Sequence, residues 1–188
     1  MNQELKQSVF EIVRFILLTL IIVIPIRAYV AQPFIVSGVS MIPTFDNNEY
    51  LIIDELSYHF RDPQRGEVIV FRFPNDQNKF FIKRIIGLPK ETINIQNGKI
   101  SVTSPSGDTW EMNEPYIEET EINSQKQSFT LSEDEYLVLG DNRQHSSDSR
   151  VWGPVVKNLI EGRALVRLFP LSHISWRPGD FSQHYLNN

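Results

Sequence analysis

The chain has 188 residues, no cysteine and a formal net charge of −5. That length holds one membrane segment plus one globular domain but not two full domains, and the missing cysteines exclude disulfides, thiolate metal sites and a cysteine nucleophile. The acidic balance without a basic stripe excludes a duplex-binding surface, so no nucleic-acid partner is expected, while 41% hydrophobic and 22% charged residues are those of a chain that folds.

The first element is apolar. From Phe15 to Ile26 the run FILLTLIIVIPI carries no charge. It is shorter than the roughly 20 residues that span a bilayer. Extending it from Val9 to Ala31 gives a sufficient helix if Glu11 and Arg14 lie at one interface and Arg27 reaches toward the other. Residues 1–31 are read as a membrane anchor and 32–188 as a β domain. The competing reading is a cleavable leader, for which Tyr29-Val30-Ala31 is a poor small-x-small cleavage site. Lys6 and Arg14 are offset by Glu4 and Glu11, and Arg27 sits at the far end, so the positive-inside bias is weak.

The next segment, FIVSGVSMIPTF at 34–45, sets Ser40 on a turn punctuated by Gly38 and Pro43, between apolar Val39 and Met41. A serine displayed this way suits a nucleophile, with nearby backbone N–H groups as an oxyanion hole. It also suits an ordinary turn. Runs rich in Val, Ile, Phe and Tyr then predict strands at Tyr50–Ile53, Val68–Phe73 and Phe80–Ile86. In the third, Lys83 follows three apolar residues, and alternation points it inward and Arg84 outward. A buried lysine is rare without a task; the alternative is a solvated lysine on an edge strand. At pH 7.5 an ordinary lysine is only about 0.1% neutral, so a useful base needs its pKa lowered by roughly 2–3. Desolvation against Phe80, Phe81 and Ile82 is the physical route.

Beyond it, TINIQNGKISV predicts a hairpin in which Asn97-Gly98 supplies the two positive-φ positions of a type I′ turn. From about 90 to 134 the chain is more polar, with Ser-Pro-Ser-Gly at 104–107 and an acidic run at Glu118–Glu121. It reads as a small β excursion inserted into the main sheet, or else a long solvated loop. Strands are predicted at Tyr136–Leu139 and Ala164–Leu168, which makes the fold class mostly β. Between them, LGDNRQHSSDSRVWG at 139–153 crowds donors and acceptors into one loop. There Ser146 can orient a neutral lysine and Asp148 can pair with Arg150. A Ser40–His145–Asp148 triad is also formally available.

Taken together, SGVSMIPT (37–44), RGEVIVF (65–71), KRIIGLP (83–89) and GDNRQHSSDSR (140–150) resemble the ordered blocks of the type I signal peptidases. The resemblance runs from about Phe15 to Phe169 and leaves a polar tail unassigned. It implies that Ser40 is the nucleophile and Lys83 the general base of a Ser–Lys dyad, that Ser146 hydrogen-bonds the lysine, and that Asp148, Arg150 and Arg84 form a structural ion-pair cluster. Histidine is not needed at the position of His145. The oxyanion donor carried over is the Ser40 N–H; one branch of the family has a serine hydroxyl where this chain has Gly38. Val36, Met41, Phe45, Phe81 and Ile82 are implied to line the pocket for the residue before the cut. Phe34, Val36, Leu51, Val70 and Ile82 are implied to line the pocket two residues further back.

The activity implied is removal of signal peptides after Ala-x-Ala motifs, with no metal or organic cofactor. The implied partners are signal-peptide-bearing preproteins, the lipid bilayer and the protein-export machinery. The implied location is a cell membrane crossed once, with the catalytic domain on the extracytoplasmic side; another bacterial-type membrane, such as a thylakoid, also fits. Two rivals are a self-cleaving Ser–Lys repressor, which the apolar N-terminus disfavours, and a catalytically silent membrane-anchored binding module, which intact Ser40, Lys83 and Ser146 disfavour.

Overall fold

The computed structural model of the chain describes residues 3–25, 32–117 and 126–186. The acidic run at 118–121 and the last part of the expected anchor, 26–31, lie outside the described residues.

Leu, Ile, Val and Phe with no glycine or proline before Pro25 sustain helix α1, Gln3–Pro25. Along residues 7–21 every side chain, including Phe10, Phe15 and Ile21, is exposed. Among the described residues, no helix is long and apolar enough to cross a membrane.

The rest is mostly β. Strands β1 (Gln32–Ile35), β2 (Tyr50–Asp54), β3 (Val68–Phe73) and β4 (Asp76–Gly87) are followed by β5 (Thr92–Gln96), β6 (Lys99–Thr103), β7 (Thr109–Glu111) and β8 (Gln127–Thr130). After β9 (Glu135–Leu139) come the short helix α2 (Ser149–Trp152), β10 (Val155–Val156), β11 (Ile160–Phe169), β12 (Ser175–Trp176) and helix α3 (Ser182–Leu186). An eight-stranded sheet runs β1-β2-β11-β3-β4-β9-β10 with β12 on β11, and a four-stranded sheet runs β7-β6-β5-β8. The hairpin forms as its turn chemistry dictates: Gln96 pairs with Lys99, and Asn97 and Gly98 have φ of 52° and 74°.

Lys83 lies on an inner strand rather than an edge, because β4 is flanked by β3, where Lys83 faces Ile69, and by β9. Its neighbour corrects the alternation argument. Arg84 does not point to solvent; it is 0% exposed. Alternation assigns opposite faces, but both faces of β4 are covered here. The Ser40 loop, the loop after β9 and the C-terminal segment close over the side that a two-layer picture leaves wet. The tail left unassigned by sequence is therefore part of the fold.

Candidate active site

The Ser40 loop extends the β1–β2 hairpin. Val36 N–H donates to Glu49 O (2.9 Å) and Asn48 N–H to Val36 O (2.8 Å), which fixes both ends of the loop. Gly38 adopts φ +102°, a conformation that side chains disfavour, and its N–H donates to Asn47 Oδ1 at 2.9 Å. That N–H is thus occupied across the loop. Met41 and Phe45 sink into a core cluster with Val36, Leu51, Val68 and Ala164, against which Ile82 packs. Ser40 is held on the rim of that cluster, with its carbonyl accepting from Asn142 N–H (3.0 Å), while Asn142 Nδ2 donates to Val39 O (3.2 Å).

Opposite the loop, Lys83 Nζ lies 2.6 Å from Ser40 Oγ and donates to Ile82 O at 2.8 Å. The lysine is only 4% exposed, and its Nζ lies 5.5 Å from the centre of the Phe81 ring. Burial lowers its pKa from 10.5 to about 8, because an ammonium loses hydration that this apolar setting does not replace; the carboxylates of Asp148 and Asp141 pull the other way. When the lysine is neutral, the hydrogen bond reverses, so that Ser40 O–H donates to Nζ.

Arg84 is the hub beneath. Its Nε and Nη2 donate to the two oxygens of Asp141 (2.8 and 2.6 Å), Nη1 to Gly66 O (2.8 Å) and to Gly179 O, and Nη2 also to Thr44 Oγ1 (3.3 Å). Thr44 Oγ1 donates in turn to Asp141 Oδ2 at 2.5 Å, tying the Ser40 loop to the pair. The guanidinium sits 3.8 Å from the Tyr116 ring centre and 5.1 Å from that of Phe181. Breaking such a buried pair from one side costs about 3–5 kcal/mol.

The expected Asp148–Arg150 pair is present at 2.8 Å. Asp148 also accepts from Gly140 N–H (3.1 Å) and caps α2 through Arg150 N–H. Burial raises its pKa, but the Arg150 bonds and the Gly140 N–H outweigh that and hold the carboxyl below the usual range. Arg84 belongs with Asp141 rather than with this pair. Ser146 sits between the two halves of the site. Its Oγ is buried beside the Asp148 carboxylate without completing a hydrogen bond, and it makes none to Lys83. His145 is exposed and engages Asn142 Oδ1 (3.1 Å), so the three residues of the formal triad are directed to different partners.

The expected pocket residues divide between two faces. Val36, Met41, Phe45, Leu51 and Ile82 share the cluster under Ser40. Val70 is buried and faces Ile82 across β3–β4, and Phe34 faces Leu51 and packs edge-on against Phe80 at 5.2 Å. Phe81 leans away, stacked on Phe73 at 4.6 Å. Among the described residues no group of three or more His, Cys, Asp or Glu is arranged to hold a metal ion.

Sequence reasoning missed Thr44, Asp141, Asn142 and the tail. The first three lie inside quoted blocks, and the charge of Asp141 two residues beyond an apolar strand was the available signal of a buried ion pair. Gly179 and Phe181 carried no such signal.

A family model for Signal peptidase, peptidase S26, matches residues 9–169. A "Signal peptidase I" of Leptolyngbya laminosa is 36% identical over 172 residues, covering 87% of this chain and 81% of that protein. A "Signal peptidase I P" of Bacillus subtilis subsp. natto is 32% identical over 179 residues, covering 90% of this chain and 94% of that one. A solved signal peptidase I structure from Enterococcus faecalis V583 shares 29% identity at a TM-score of 0.47, covering 55% of this chain and 97% of that one.

Proposed function

This chain belongs to the signal peptidase family, peptidase S26, and from that premise we propose that it is a membrane-bound signal peptidase I that works through a Ser40–Lys83 dyad. Its reading as a serine endopeptidase follows from the family. The observation that carries the mechanism is the 2.6 Å separation of Lys83 Nζ and Ser40 Oγ in a setting that lowers the lysine pKa to about 8. At pH 7.5 about a quarter of such lysines are neutral, against about 0.1% of ordinary ones, a gain in competent base of about two hundredfold.

In the proposed cycle, neutral Lys83 takes the Ser40 proton as Oγ attacks the carbonyl carbon before the scissile bond. The Ser40 N–H faces the developing oxyanion. Collapse expels the new amine, which takes its proton from Lys83, and leaves an ester on Ser40. Lys83 then takes a proton from the attacking water and returns it to Ser40 as the ester breaks. Tight packing of Met41, Phe45, Leu51 and Ile82 under the nucleophile supports shallow pockets and hence Ala-x-Ala selection, since larger side chains would meet a filled core.

Residues 1–31 are proposed as a single-pass anchor and 32–188 as an extracytoplasmic catalytic domain with an inserted β region at about 90–134. The exposed and mostly apolar side chains along residues 7–21 of α1 support the anchor, because such a surface needs a non-aqueous surrounding. Exposed Ile35, Phe169, Leu171, Ile174 and Trp176 support a domain resting on the bilayer, and the register sets Ile35 on β1 and Phe169 on β11 to either side of Tyr50 on β2. Signal-peptide-bearing preproteins are the proposed substrates, with the protein-export machinery as a further partner.

The test uses purified full-length chain and a preprotein whose signal peptide ends in Ala-x-Ala. Wild type is expected to cut after that motif, as read by the product's N-terminal sequence. Ser40→Ala and Lys83→Ala should each abolish cutting; either variant processing at the wild-type rate sinks the dyad.

A further inference from the structure

We propose that the C-terminal segment from Gly179 to Tyr185 is a positioning element of the active site, and that Phe181 and the Gly179 carbonyl hold the nucleophile loop in place through Arg84. The inference rests on the Ser40–Lys83 reading. The segment lies beyond the residues matched by the family, 9–169.

A guanidinium has five N–H donors, and at Arg84 five bonds use them: two to Asp141, one to Thr44, one to Gly66 O and one to Gly179 O. The side chain is 0% exposed with the tail seated, and losing the Gly179 carbonyl leaves one of these donors without its partner. Phe181 lies 5.1 Å from the guanidinium and 5.1 Å from the Tyr116 ring, so the two rings and the guanidinium form one mutually packed cluster.

The segment also touches the nucleophile loop directly. Gly179 has φ +69°, and a Cβ built there would meet Thr44 Cγ2 at 2.3 Å and Phe45 at 3.3 Å, so the tail backbone lies flush against the turn that carries Ser40. Two latches hold it. Phe181 N–H donates to Gly66 O (3.3 Å), and Tyr185 Oη donates to Asn113 O (2.7 Å). Gly66 opens the block leading into β3, and Asn113 follows the second sheet. The tail thereby couples both sheets to the arginine next to Lys83 in the chain.

A displacement of about 1 Å in a catalytic constellation costs up to a hundredfold in rate. Opening the Arg84 cluster should therefore lower kcat while leaving KM nearly unchanged, because the pocket cluster under Ser40 does not include the tail.

The experiment compares Phe181→Ala, Phe181→Leu and Phe181→Tyr in the full-length chain, each assayed well below its own Tm. An Ile95→Val truncation in the second sheet is the control for lost stability alone. Phe181→Ala should lose about tenfold in kcat with KM within twofold, Phe181→Tyr should recover most of it, and the control should keep wild-type kcat. Should Phe181→Ala not fold, Phe181→Leu, which keeps the bulk and loses the aromatic face, is expected to fold with lowered kcat. A folded Phe181→Ala or Phe181→Leu variant with wild-type kcat overturns the proposal. Ser40→Ala, run alongside, separates the two failures: if it processes preprotein, the dyad reading falls, and if it is inactive while Phe181 variants keep kcat, only the tail proposal falls.

Discussion

Gly140→Ala is a packing test of how tightly Ser40 is held. Gly140 directly follows the apolar strand β9, and its φ is outside the left-handed region, so the backbone accepts alanine without strain. Space does not. A Cβ there would lie 2.2 Å from Ser146 Oγ and 2.5 Å from the Ser40 carbonyl oxygen, where ordinary contact begins at 3.4 Å, so about 1 Å of movement is needed. Ser146 can rotate away, but the Ser40 carbonyl is fixed by Asn142 N–H, and Gly140 cannot retreat without loosening its bond to Asp148. The movement falls on Ser40 and breaks the 2.6 Å contact with Lys83. The expected result is a loss of about a hundredfold in kcat/KM with about 1–3 kcal/mol of stability, read by single-turnover cleavage of a preprotein and by urea unfolding. Gly107→Ala is the control, since a Cβ there meets nothing and only its φ of +97° is strained. Activity of Gly140→Ala within threefold of wild type would refute the close packing of the loop after β9 on Ser40.

Three further outcomes follow from buried charge and contact. Lys83→Met should change how stability depends on pH: the lysine pKa falls from 10.5 unfolded to about 8 folded, so the charged form costs the fold about 3 kcal/mol below pH 8, and the cost disappears as pH rises toward 10.5. Urea unfolding at pH 7 and pH 10.5 should show the Met variant gaining relative to wild type only at the lower pH; a pH-independent difference contradicts the burial argument. Glu49 is 2% exposed, and burial raises its pKa above 4.5 despite Arg167 3.1 Å away, so ionising it as pH rises through that window weakens the fold. Glu49→Gln should remove that slope in unfolding experiments between pH 4 and 7, and an unchanged slope would place its origin elsewhere. Gly66→Ala drives a Cβ to 2.8 Å from the Phe181 backbone and 2.9 Å from the Tyr185 ring at φ +86°. Limited proteolysis should then cut within 177–186 much faster than in wild type; equal rates would mean that the tail is not seated on Gly66.

What sequence could and could not reveal follows from the range of each interaction. Strand positions were legible because β-branched and aromatic runs bounded by Gly, Pro and Asn are local signals, and Val68–Phe73 forms with the expected bounds. Strands β4 and β11 run longer than expected, since their polar ends pair through backbone bonds that leave no hydrophobic pattern. Ser40 and Lys83, adjacent in space but 43 residues apart in the chain, were joined by resemblance and not by any periodicity. The orientation of Arg84 was misread because alternation encodes only two faces and says nothing of what covers them. A third layer contributed by Thr44, Asp141 and Gly179 comes from chain segments with no strand pattern of their own. Phe181 and Tyr185 are isolated aromatics in a polar tail, and only the fold shows that they meet Arg84 and Gly66.

The proposed role of Lys83 as a base rests on its burial, and its own titration measures that directly. In the full-length chain carrying 13Cε-labelled lysine, the Lys83 resonance, assigned by its absence in Lys83→Met, is expected to titrate with a midpoint of about 8. A midpoint near 10.5, the ordinary lysine value, would mean that the residue stays charged at neutral pH and cannot take the Ser40 proton.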